Sequence, residues 1–147
     1  MSDSKFIETF KEEALELLGT LEEKLLELEE HSEDKELLSA VFRVMHTIKG
    51  SAAMFGLDRI SAFSHEVESI LSALRDGKLV FSKALIGNTL IARDMILEML
   101  EHPEDGTGAM PEDLIRFLDE FRDAVGFKIQ HEEVSPVPET VSADKGP

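Results

Sequence analysis

The chain has 147 residues, 42% of them hydrophobic, which suffices for one domain with a genuine core. Its 15 Lys and Arg stand against 31 Asp and Glu, and the formal net charge of −16 argues against nucleic acid or an anionic membrane surface as partner and favours a protein with a basic rim. The lack of cysteine excludes disulfides and thiolate chemistry, and no segment has the apolar length of a membrane span or the basic start and apolar run of a signal peptide, so a cytosolic protein is expected.

Phe6, Phe10, Leu17, Leu21, Leu25 and Leu28 recur at helical spacing with Glu and Lys on the other face, which predicts a long amphipathic helix over roughly 4–30. A polar break at 31–35 precedes a second helix of about 35–55. Its apolar stripe is Leu38, Val41, Met45, Ile48, Ala52 and Phe55, and Gly56 ends it. Asp58 is the expected N-cap of a third helix, in which Ile60, Phe63, Val67, Ile70, Leu71 and Leu74 repeat until Gly77. Beside that stripe runs a second row, Ser61, His65, Glu68 and Ser72.

Ser82 can cap a fourth helix over about 83–101, with Leu85, Ala92, Ile96 and Met99 as its stripe and Ile86, Leu90 and Met95 flanking. Residues 102–108 read as a loop. Pro111, Glu112 and Asp113 suit the first turn of a fifth helix, and Leu114, Phe117, Leu118, Phe121 and Val125 carry its stripe to Gly126. No segment alternates as a strand would, and from Gln130 the composition reads as a disordered tail. The expected architecture is all-α: an up-down antiparallel four-helix bundle over residues 1–128, with the fifth helix packed on one end or side, and a linker over 129–147.

The second helix holds the chemistry. Phe42, His46, Lys49, Gly50 and Ala53 form the row beside its buried stripe, so His46 stands at the edge of the apolar face with one ring nitrogen toward solvent. Gly50 removes a side chain one turn later, at a cost of about 1 kcal/mol to the helix, which a close approach by another molecule would justify. Counted from the turn at Gly56, His46 and Glu68 fall at matching heights on neighbouring helices at about 1.5 Å per residue, so a hydrogen bond between them is expected.

His46-Thr47-Ile48-Lys49-Gly50-Ser51, with Phe55-Gly56-Leu57 closing the same helix and His65-Glu66-Val67-Glu68 on the next, resembles the histidine phosphotransfer (HPt) family, in particular the phosphotransfer domains of CheA-type chemotaxis kinases. The resemblance runs over residues 4–126. It implies that His46 is a phosphoacceptor that becomes phosphohistidine, receiving its phosphoryl group from ATP and Mg²⁺ held by a separate kinase catalytic domain. The recipient it implies is an aspartate on a response regulator of the CheY or CheB type. Glu68 corresponds to the carboxylate on the inner ring nitrogen, Lys49 to the nearby cation, His65 to a second imidazole of that network, and Gly50, with Phe42 and Ala53 in its row, to the surface open to a partner.

The residues support that chemistry directly. A carboxylate bonded to the inner N–H selects the tautomer whose outer nitrogen keeps its lone pair, and Lys49 can offset incoming negative charge. No Gly-x-x-x-x-Gly-Lys-[Ser/Thr] loop is present, so no cofactor is expected on this domain and the kinase is expected elsewhere. A metal site of His46, His65 and Glu68 competes poorly, because di-iron bundles use Glu-x-x-His on two helices and the order here is reversed and single. The alternatives within reach are a stand-alone relay protein and a purely structural helical interaction domain. A monomer is expected, with its apolar residues consumed by one bundle. His31, His102 and His131 lie in loops or tail and carry no hypothesis.

Overall fold

The computed structural model describes residues 2–102 and 108–127, and all regular structure among them is helical. The helices are α1 (Ser2–Glu30), α2 (Lys35–Met54), α3 (Asp58–Arg75), α4 (Lys83–Glu101) and α5 (Glu112–Val125). The expected tail from Gln130, the 128/129 boundary and most of the loop after His102 lie outside the described residues.

Helices α1 to α4 form the bundle, in which each helix packs on the next and α4 returns to α1; α5 lies against α3 and α4. The core is aliphatic with three fully buried phenylalanines, Phe10, Phe63 and Phe121. The stripes expected for α3 and α5 are buried apart from Val125 at the end of α5, which is half-buried. In α1 the buried line is Phe10, Ala14, Leu18, Leu21, Leu25 and Leu28. That corrects the expected stripe: Leu17 is only half-buried, and Phe6 is 56% exposed while leaning on Phe55 at a centroid distance of 6.4 Å.

Local chemistry sets the helix ends. Asp34 caps α2 by accepting from the amides of Glu36 and Leu37, and Ser82 caps α4 by accepting from Leu85. The α2–α3 turn needs Gly56, whose φ of 76° few other residues adopt. There the Gly56 amide donates to Ala53 and the Leu57 amide to Ala52, the paired bonds that satisfy the last carbonyls of a helix. Leu57 then begins α3 itself: its carbonyl accepts from Ser61, and it stands at the N-cap position with no side-chain cap. Asp58 is thus a first-turn residue and not the expected cap, its charge still favourable at the positive end of the helix dipole. So short a connection forces α2 and α3 to pack along their length, which brings His46 opposite Glu68.

Candidate functional site around His46 and Glu68

His46 projects from the middle of α2 with its side chain 60% exposed, while Glu68 on α3 is only 8% exposed. Nδ1 of His46 lies 2.5 Å from Oε2 of Glu68. The other carboxylate oxygen, Oε1, takes the Lys49 ammonium at 2.8 Å, and Nδ1 of His65 approaches the same oxygen at 3.5 Å. One buried carboxylate therefore gathers the Lys49 ammonium and two imidazole rings, all from the two rows marked by the sequence.

Burial alone would push the Glu68 carboxyl up. The hydrogen bonds from Lys49 and His46, together with their charges, outweigh that and hold it below its ordinary value. An ionised carboxylate can only accept, so the hydrogen of the neutral His46 ring resides on Nδ1 and the lone pair on Nε2, the nitrogen on the solvent side. The site is thus an exposed imidazole whose tautomer is selected by Glu68.

Lys49 is committed to Glu68 instead of lying loose over apolar neighbours, and its backbone carbonyl accepts from Ser61 Oγ at 3.0 Å, which ties α3 to α2 beside the site. Gly50 and Ala53 are exposed, and a Cβ built on Gly50 would meet nothing within 4 Å, so no contact within the fold demands a glycine there. Phe42 is half-buried and stacks on the His46 ring at 5.9 Å and 18° between planes. Sequence reasoning missed Arg75, whose guanidinium sits 4.1 Å from the centre of the Phe42 ring. The signal was available: the row Ser61, His65, Glu68, Ser72 reaches Arg75 one turn further on. Among the described residues no group of three or more His, Asp or Glu side chains is disposed to hold a metal ion.

A buried carboxylate bonded to an exposed imidazole across two helices of a four-helix bundle is the arrangement expected of a phosphotransfer domain. The Hpt domain family model matches residues 5–102, and the chain belongs to that family. It is 39% identical over 101 residues to the chemotaxis protein CheA of Klebsiella aerogenes, covering 69% of this chain and 16% of that protein. To CheA of Borreliella burgdorferi it is 35% identical over 106 residues, covering 72% of this chain and 12% of that protein. The chain therefore spans under a fifth of the length of these relatives.

Among solved structures, the CheA phosphotransferase domain from Thermotoga maritima is 32% identical with a TM-score of 0.65, covering 68% of this chain and 95% of that one. The solution structure of the histidine phosphotransfer domain of CheA is 30% identical with a TM-score of 0.72, covering 82% and 92%. The phosphorylated P1 domain of CheA3 in complex with CheY6 from R. sphaeroides, 22% identical with a TM-score of 0.69 and covering 83% and 96%, shares the fold.

Proposed function

We propose that this chain is the phosphoryl-carrying module of a CheA-type signalling kinase, with His46 as acceptor and donor. The observation that carries the reading is the 2.5 Å contact from His46 Nδ1 to Glu68, with Nε2 left outward. In the forward step the Nε2 lone pair attacks the γ-phosphorus of ATP held by a separate kinase domain. A P–N bond forms, the P–O bond to ADP breaks, and ADP departs with the bonding electrons. The ring becomes positively charged with its hydrogen still on Nδ1, and Glu68 stabilises that charge. In the second step a carboxylate oxygen of a response-regulator aspartate attacks the same phosphorus, the P–N electrons return to Nε2, and the neutral ring is restored.

Phosphoryl transfer runs through a loose transition state, so the module's contribution is position and electrostatics. Lys49 keeps Glu68 ionised and adds positive charge beside the incoming phosphate. The exposed Gly50 and Ala53 leave room for the kinase and then the regulator, and the acidic body of the domain suits partners with basic rims. The fold neighbour described as a phosphorylated P1 domain with CheY6 supports a CheY-type recipient. On this reading the isolated chain is a monomer without kinase activity of its own.

The test is incubation with a CheA kinase core lacking its own phosphotransfer domain, with Mg²⁺ and ATP. Acid-labile, alkali-stable phosphate on His46 is expected, and His46→Gln should take no label while keeping its helicity. Undiminished labelling of that variant would assign the acceptor elsewhere.

A further inference from the structure

One hydrogen bond does not fix a ring. With Nδ1 held by Glu68, the His46 imidazole can still rock about the N···O axis and swing Nε2 away from any line of attack. A second restraint is present. The Phe42 ring, one turn earlier on α2, lies nearly parallel to the imidazole at 18° and 5.9 Å. A flat neighbour at that distance limits the rocking that a point contact leaves free.

Phe42 is itself half-buried at the edge of the core and needs a support of its own. Arg75 supplies one, its guanidinium 4.1 Å from the Phe42 ring centre, a cation–π contact from the last turn of α3. Arg75 in turn donates to Asp76 Oδ1 at 3.1 Å and to Ser72 Oγ at 3.4 Å, which orients its planar group. Because α3 runs antiparallel to α2, Phe42 lies between His46 and Arg75 along the helix axes.

We infer that Phe42 and Arg75 are positioning residues for phosphoryl transfer: the guanidinium pins the Phe42 ring, and the Phe42 ring holds the plane of the His46 imidazole so that Nε2 faces the incoming phosphorus. The inference rests on His46 being the acceptor. Glu68 selects the tautomer and anchors one atom, and the Arg75–Phe42 stack sets the ring's orientation. Misplacing a nucleophile by a fraction of a bond length is costly in rate and leaves affinity untouched, so the loss belongs in the turnover number.

The experiment compares Phe42→Leu, Arg75→Ala and Arg75→Lys with the unmodified chain, using a kinase core for enzymatic labelling and phosphoramidate as a small chemical phosphodonor. Ring-proton NMR of His46 reports the stack through the upfield shift that an aromatic face imposes. Phe42→Leu should lower the labelling kcat about 10-fold at unchanged KM and abolish the upfield shift. Arg75→Ala should lower it about 2- to 5-fold, and Arg75→Lys, which keeps a cation over the ring, should restore most of it. The same ranking is expected with phosphoramidate, since no protein surface is then being matched. Labelling of Phe42→Leu within a factor of two of the unmodified chain, or a loss confined to KM, would overturn the positioning role. An unmodified chain that takes label from neither donor would overturn the acceptor reading, and the positioning role with it.

Discussion

Lys49 Nζ lies 2.8 Å from Oε1 of Glu68, the oxygen that the His46 bond leaves unused. The two residues come from different helices, and their pairing explains how a carboxylate stays ionised at the rim of an apolar core. A buried charge without such partners would neutralise itself by taking up a proton. A protonated Glu68 could offer a hydrogen to Nδ1 and so favour the wrong tautomer.

Glu68→Gln follows from this directly. The amide keeps the size and one acceptor oxygen but loses the charge that stabilises the ring cation formed as Nε2 attacks. Removal of an acid-base or orienting partner costs on the order of 10²- to 10⁴-fold in rate, and phosphorylation by a kinase core should fall within that range. Helicity and regulator docking should change little. A radiolabel time course checks it, and an unchanged rate would make the 2.5 Å contact chemically idle.

Much of this site was legible before any coordinates, and the reason is geometric. Helical period alone places His46 and Lys49 in one row and His65 and Glu68 in another, and a three-residue turn containing Gly56 leaves the two helices no other way to pack. Less was legible where neighbours decide. Leu17 and Leu18 are adjacent and equally apolar, and only the packing of α1 on α2 and α4 makes Leu18 the buried one. Asp58 has the chemistry of a cap, but the α2 terminus commits the Leu57 amide to Ala52 and starts α3 one residue earlier than a capping rule expects. Arg75 continues the α3 row one turn past Ser72, but its place over the Phe42 ring depends on the packing of α3 on α2, which periodicity within one helix does not specify.

The depressed Glu68 pKa has a pH signature with a definite sign. A carboxylate whose folded pKa lies below its unfolded value contributes stability that is fully present above the ordinary value of 4.5 and is lost as pH falls through the folded one. Many other carboxylates titrate in that range, so the measurement is the difference in melting temperature between the unmodified chain and Glu68→Gln. That difference should hold constant from neutral pH to about 4.5 and shrink below it. Lys49→Met removes the largest influence that lowers the pKa, so the carbon-13 titration midpoint of Glu68 should move up and the window with it. An unmoved midpoint would mean that the 2.8 Å pair does not hold the charge.

Helix α5 lies outside the matched family region, yet it buries Leu114, Phe117, Leu118 and Phe121 and is tied to α3 by Arg122 on Glu66 at 2.5 Å. Phe121 is fully buried with Phe117 at 5.8 Å, so Phe121→Ala should cost about 3–5 kcal/mol in denaturant unfolding. Because α5 packs on α3 and α4 and meets α3 through Phe63 and Glu66, the labelling rate of the folded fraction should stay within a factor of two. A much smaller destabilisation would show that α5 is an accessory to the bundle and no part of its core.

Gly50 separates the needs of the fold from those of the partner. It sits one turn after His46 on an exposed face, and a Cβ there would touch nothing within 4 Å, so the fold loses helix propensity at this position and gains no contact in return. Gly50→Ala should raise stability by up to about 1 kcal/mol, since alanine is the better helix former and restricts the unfolded chain. Gly50→Gln should also leave the melting temperature undiminished, because its side chain has solvent to occupy. Its effect should fall on encounters: a long side chain beside Nε2 stands where a kinase or regulator must bring phosphorus within bonding distance. Labelling and transfer in Gly50→Gln should drop about 10-fold or more, while small phosphoramidate should still phosphorylate His46 at close to the unmodified rate. Loss with both donors would point to a disturbed imidazole, and normal transfer with both would leave the glycine without a steric purpose.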